Sequence, residues 1–248
     1  MKFSWLWLNQ LVYIKDIPID KLKQTLTLAG LEVENTELIT RHNDQIIEIS
    51  LTPNRLDISY MIGLAREISV LFNKTLKTKL IYNNILNNIH LKKYTLESNQ
   101  NVECINSIRI KTINLSLNTS PLWMQNYLKY NDIKPTYLLQ DIQEYIKIKW
   151  KYSIYILDTL NYDIYKQQIN QLNNETSLID KLKIQYISNT IIDNKYNYLL
   201  IIGILYDKKY STFYCKSDFN NAFQELINLI QTFGKGCLLY TSPSPRDA

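Results

Sequence analysis

The run Thr52-Pro53-Asn54-Arg55-Leu56-Asp57 sets a guanidinium two residues from a carboxylate, behind a proline that keeps Thr52 out of helical geometry. Arg55 could meet an RNA phosphate, or it could be held by a carboxylate in a capped turn, with Asp57 capping the helix that follows. The capped turn is the primary reading. Lys147, Lys149 and Lys151 alternate with Ile148 and Trp150, so an extended segment would set three ammonium groups on one face. A solvated face is the primary reading there, and phosphate contact the second. His42 and His90 are the only histidines, and Cys104, Cys215 and Cys237 form no C-x-x-C pair. No zinc site, no Ser-His-Asp or Cys-His relay and no G-x-x-x-x-G-K loop can be drawn from them. Catalysis has no support within the chain, and no metal ligand is assigned.

The elements that must position these residues follow from local pattern. Ser4 is placed to cap a first helix whose Trp5, Leu8 and Leu11 share a face. Asp20 caps a second, carrying Leu22, Leu26 and Ala29, which Gly30 ends in the left-handed conformation. Glu32 to Ile39 and Gln45 to Leu51 read as paired strands joined by the polar loop Thr40 to Asp44. Ser59 to Phe72 reads as a helix with Leu64, Ile68 and Leu71 inward. Helix, helix, hairpin and helix predict a small winged-helix-like unit over residues 1–80, followed by a Lys- and Asn-rich connection over 81–101.

A second mixed α+β domain is predicted over 102–236. It takes in a strand from Val102 to Leu115, a helix opened by Ser120 and Pro121, a helix from Tyr137 to Lys149 and a strand from Tyr152 to Leu157. Tyr198 to Tyr206 then reads as a buried strand and Phe219 to Phe233 as the last helix. Trp5, Trp7 and Trp123 read as core anchors, since leucines accompany each at helical spacing. Residues 237–248, CLLYTSPSPRDA, break the composition of the chain and read as a non-native tail.

Composition narrows the class. A chain of 248 residues with 28 Lys and Arg against 23 Asp and Glu has a net charge of +5, which permits an RNA partner without requiring one. The 19 tyrosines against 5 glycines fit an A/U-rich coding sequence better than a set of base-stacking platforms. The longest apolar run, Leu199 to Tyr206, is far below the roughly 20 residues of a membrane-spanning helix, so no membrane partner is expected. The start lacks the pattern of a secretory signal or of an imported organelle leader.

The opening MKFSWLWLNQLV, the segment LTLAGLEVENTEL and the run IEISLTPNRLDISYMIGLAREISVL together resemble the first domain of the phenylalanine-tRNA ligase beta subunit. Ala29 to Glu34 and Glu48 to Arg55 carry its strand motifs. Gly63, Ala65, Arg66 and Glu67 carry its G-x-A-R-E helix. SPLWMQNYL, at Ser120 to Leu128, resembles a helix of the family's tRNA-editing module. Two departures stand out. Only Thr40 to Asp44 separates the two strands, so the oligonucleotide-binding barrel of bacterial members cannot fit, which implies the compact organelle form. The family's G-Q-P-M-H-A-F-D editing segment falls on Lys151 to Asp158, with Tyr155 in place of the histidine, so editing is expected to be lost.

The resemblance implies a truncated, non-catalytic N-terminal part of a beta subunit. With an alpha subunit it would support ATP- and Mg-dependent attachment of phenylalanine to tRNA-Phe, in a plastid and from an organelle-encoded gene. No cofactor is expected in this chain, and the chain alone is expected to be inactive. Two rival readings are a Tyr-tRNA editing hydrolase and a stand-alone winged-helix nucleic-acid-binding protein.

Overall fold

The computed structural model describes residues 1–40, 44–77, 102–112, 119–152, 154–158, 198–206, 215–234 and 236–238. It is a mixed α and β chain in two units. The first comprises Met1–Leu80, Ser120–Thr136 and Lys147–Lys151; the second comprises Ile81–Thr119, Tyr137–Ile146 and Tyr152–Ala248.

In the first unit, strand β1 (Lys2–Ser4) runs directly into helix α1 (Trp5–Leu11), and α2 (Ile19–Leu28) follows. Strands β2 (Val33–Ile39) and β3 (Asp44–Ile49) pair antiparallel, as the short polar link between them in the sequence predicts, with Thr36 opposite Ile47. A three-residue element, β1, was not expected: it pairs along the other edge of β3, with Phe3 opposite Ile47, giving the order β1-β3-β2. Three residues carry little period, so only the tertiary partner reveals the strand. Helices α3 (Met61–Leu71) and α4 (Leu122–Tyr130) complete the unit.

The inward face of α1 is shifted from the one expected. Trp7, Leu8 and Leu11 are buried whereas Trp5 is only half-buried, and Trp123 on α4 stays 38% exposed. Trp7 turns inward because an aromatic partner waits for it. Its ring stacks on Tyr127 of α4 with centroids 4.4 Å apart and planes 10° from parallel. That contact ties α4 to α1 within the first unit.

Three helices of this unit end on one device. Gly30 (φ 83°), Asn73 (φ 47°) and Asp132 (φ 59°) take the left-handed conformation just past α2, α3 and α4. At α2, the Gly30 N–H donates to the Thr27 carbonyl and the Leu31 N–H to the Leu26 carbonyl, at 3.0 and 2.9 Å. The same pair of bonds recurs at Asn73 and Asp132, satisfying carbonyls that a helix end leaves without partners. Gly, Asn and Asp are the residues that tolerate this backbone best. Asp20, expected as a cap, instead lies in the first turn of α2 after Pro18, and α3 begins at Met61 with Leu71 only half-buried.

Burial keeps the Tyr127 phenol protonated, raising its pKa to about 12, with the charge of Asp44 adding to the effect. A raised phenol pKa contributes stability that is fully present below the unfolded value near 10 and is lost as pH climbs through the folded one. Denaturant unfolding between about pH 9 and 12 should therefore show the native chain losing up to ~1.4 kcal/mol per pH unit more than Tyr127→Phe. Parallel decline of the two proteins would assign the alkaline loss to other groups.

In the second unit, β4 (Val102–Thr112), β5 (Ile154–Asp158), β6 (Tyr198–Tyr206) and β7 (Gly236–Leu238) form an antiparallel sheet in the order β5-β6-β4-β7. Helix α5 (Leu138–Trp150), of which residues 138–146 fall in this unit, and helix α6 (Lys216–Gly234) follow the expected spans within a few residues. On α6, Phe219, Ala222, Phe223, Leu226, Ile227 and Ile230 are fully buried, spacings of three and four that make one apolar stripe. Tyr152 packs edge-on against Phe219 at 5.4 Å, and its hydroxyl donates to the Cys215 carbonyl and accepts from the Cys215 N–H. Cys237 and Leu238, set aside on composition, form part of β7, where Leu238 pairs with Ile110. Main-chain pairing asks little of side-chain identity, so composition does not forecast it. The expected connection at 81–101, His42, His90 and residues 239–248 lie outside the described residues.

Candidate functional site

The Thr52 to Asp57 segment leaves β3 and turns at once. The Ser50 N–H donates to the Glu32 carbonyl at 2.8 Å, and the Arg55 N–H to the Thr52 carbonyl at 3.0 Å. This closes a four-residue turn with Pro53 in its second position, where the fixed φ of proline fits. Thr52, Pro53 and Asn54 are exposed at its tip. A 3-10 turn, Leu56–Ile58, carries the chain to α3.

Arg55 is committed to internal partners. Its Nε and Nη2 donate to the two oxygens of Asp57 at 3.1 and 3.2 Å, and Nη2 also meets Glu67 of α3 at 3.1 Å. Hydrogen bonds to Asp57 and then Glu67 raise the guanidinium pKa above its ordinary value. The three groups together carry one net negative charge, which does not attract a phosphate. Asp57 serves the arginine instead of capping α3, whose cap position is Tyr60. Gly63 brings α3 onto this turn: a Cβ there would stand 2.0 Å from the Asp57 carbonyl oxygen. Arg66 is half-buried on the same helix. A double-mutant cycle of Arg55→Met and Glu67→Gln should give a coupling energy of about 1 kcal/mol, as partly exposed pairs with good geometry do. Strict additivity would mean that the pair contributes nothing.

The three lysines do not share one face. Lys147 and Lys149 lie in the last turn of α5, where a two-residue step turns roughly 200° around the axis, so helical geometry overrides the alternation. Lys149 approaches the ring of Trp150 at 5.8 Å. Lys151, just beyond the helix, donates from Nζ to the Ser59 hydroxyl at 2.6 Å and to the Leu56 carbonyl at 3.1 Å. Tyr155 stands on β5 opposite Ile202 of β6.

Three buried acidic residues among those described, Asp44, Asp141 and Asp218, were not singled out in advance, and the first of them has long-range partners. Asp44, read as part of a polar loop, is 2% exposed at the start of β3. It accepts from the Ser4 hydroxyl at 2.6 Å and from the Leu6 N–H at 3.0 Å, while Ser4 Oγ accepts from the Trp7 N–H. Ser4 is thus the expected cap, and Asp44 extends it and places a negative charge at the N-terminus of α1. Its partner lies 40 residues away, beyond any local signal.

An open groove between α2 and β2, lined by Lys23, Thr27, Leu28, Val33 and Thr36, is bridged by the Lys23 Nζ to Thr36 hydroxyl bond at 3.1 Å. Among the described residues no three His, Cys, Asp or Glu side chains come together to hold a metal, and no helix is long and apolar enough to cross a membrane. What the described geometry holds together is a braced turn joining sheet to helix.

No protein-family model matches the chain. Individual relatives do. The chloroplastic phenylalanine–tRNA ligase beta subunit of Gracilaria tenuistipitata var. liui is 30% identical over 275 residues, covering 94% of this chain and 38% of that protein. The chloroplastic beta subunit of Pyropia yezoensis is 38% identical over 181 residues, 72% of this chain and 24% of that protein. The beta subunit of Staphylococcus aureus is 27% identical over 167 residues, 66% of this chain. These relatives set the chain among the subunits of aminoacyl-tRNA synthetases. It belongs to the phenylalanine–tRNA ligase beta subunits and spans about two-fifths of the length of the Gracilaria protein.

Proposed function

We propose that the chain serves as a non-catalytic portion of a phenylalanine–tRNA ligase beta subunit, supporting with an alpha subunit the ATP-dependent attachment of phenylalanine to tRNA-Phe. The observation that carries this reading is the similarity to the Gracilaria protein along 94% of the chain. The site agrees in character: Arg55, Asp57, Gly63 and Glu67 spend their chemistry on one another, which suits a scaffold. In this reading ATP and Mg²⁺ belong to the complete enzyme. Residues 1–80 correspond in this reading to the family's winged-helix-like first domain, and residues 102–236 to an editing-type domain with Tyr155 at the position of the editing histidine. Lys147 and Lys149 form a solvated surface. The chloroplastic names of the relatives support a plastid location.

The test is assembly followed by chemistry. The purified chain should co-elute with a plastid-type alpha subunit and should form no Phe-tRNA by itself from ATP, Mg²⁺, phenylalanine and tRNA-Phe. Product made without the alpha subunit, or no co-elution, would remove the scaffold reading.

A further inference from the structure

Among the described residues Lys151 is the fourth to take the left-handed conformation, and the one whose side chain gives no local reason for it. Gly30, Asn73 and Asp132 tolerate positive φ, but Lys151 holds φ 67° with a long side chain. Its backbone N–H completes α5 by donating to the Lys147 carbonyl at 2.8 Å, which any residue would do. Glycine would meet that backbone requirement more easily. The side chain must account for the lysine.

That side chain reaches 92 residues back along the chain. Its Nζ meets the Ser59 hydroxyl at 2.6 Å and the Leu56 carbonyl at 3.1 Å, two neutral acceptors at the end of the 3-10 turn. The Ser59 hydroxyl itself donates to the Leu56 carbonyl at 2.7 Å, so ammonium, hydroxyl and carbonyl close a triangle. Burial lowers the Lys151 pKa while Asp57 opposes the shift, consistent with an amine drawn into the structure. Between Arg55 and Ser59 lies Asp57, the partner of Arg55. We propose that Lys151 is a positioning residue: its ammonium fastens the Leu56–Ser59 turn and so keeps Arg55 and Asp57 facing Glu67. The half-buried lysine is thereby employed in holding the turn, and the backbone accepts an unfavourable conformation to deliver it.

Amide hydrogen exchange on the full chain tests this residue by residue. In Lys151→Met the amides of Ile58 and Ser59 should exchange roughly tenfold faster, the factor expected for losing a hydrogen bond from a charged donor. The Arg55 Nε–H resonance should move toward its solvent-exposed position. Amides of Ile46 and Ile47 in β3 should be unchanged, and Lys151→Arg should restore both signals. Lys151→Gly relieves the left-handed backbone, so it decides the matter even if the methionine variant does not fold. Faster exchange at Ser59 in the glycine variant supports the clasp. Native exchange at Ser59 in either variant, or a glycine variant that holds the Arg55 resonance in place, would overturn it.

Discussion

Replacing Gly63 with alanine should destabilise the first unit by about 3 kcal/mol or more, at the upper end of what overpacking costs. The direction is diagnostic, because alanine in an open helix is favoured over glycine by about 1 kcal/mol. Helix propensity alone therefore predicts a gain. The structure predicts a loss, since the added methyl carbon would stand 2.0 Å from the Asp57 carbonyl oxygen and 3.0 Å from the Tyr60 ring. A flexible side chain could swing aside, but the nearer atom is backbone. Its turn is held by the Arg55 to Asp57 ion pair and by Lys151, so relief would require those contacts to move too. Urea unfolding should show a lower midpoint with an unchanged slope. A variant as stable as the native chain would mean that α3 does not lie against the 3-10 turn.

The second large effect is at Trp7. It is 1% exposed and lies flat against Tyr127, so Trp7→Ala should cost about 3–5 kcal/mol, of which roughly 1 kcal/mol reflects the ring pair. The informative control is its neighbour. Trp5→Ala, at a half-buried position, should cost less than half as much. Helical spacing counted from Trp5, Leu8 and Leu11 alone would have ranked the two the other way. Thermal unfolding of the two variants side by side decides between the rankings, and an equal or greater loss at Trp5 would contradict the packing described.

What could be read in advance was what short-range physics controls. Gly30 at the end of α2, the Ser4 cap, the β2 and β3 pair and helix α6 each depend on residues near one another in the chain, and each lies where expected within a few residues. The turn at Thr52 to Arg55 was equally legible, because proline restricts both itself and its predecessor. What could not be read depends on separation in the chain. Asp44 meets Ser4 from 40 residues away and Lys151 meets Ser59 from 92. Tyr127 selects which face of α1 turns inward, and β1 exists as a strand only because β3 is there to pair with it. Gly63 is the intermediate case. Its place in a G-x-A-R-E run marked it, but the reason for a glycine, the approach of the Asp57 carbonyl, appears only in three dimensions.

The first unit draws on Ser120–Thr136 and Lys147–Lys151 as well as on its opening residues, and this bears on how the protein is made. When residue 80 has left the ribosome, the ring that covers Trp7 and the ammonium that clasps Ser59 have yet to be translated. At about 5–20 residues per second, several seconds pass before both exist. During that interval the nascent chain carries an uncovered aromatic face, a surface that chaperones at the exit tunnel are suited to shield.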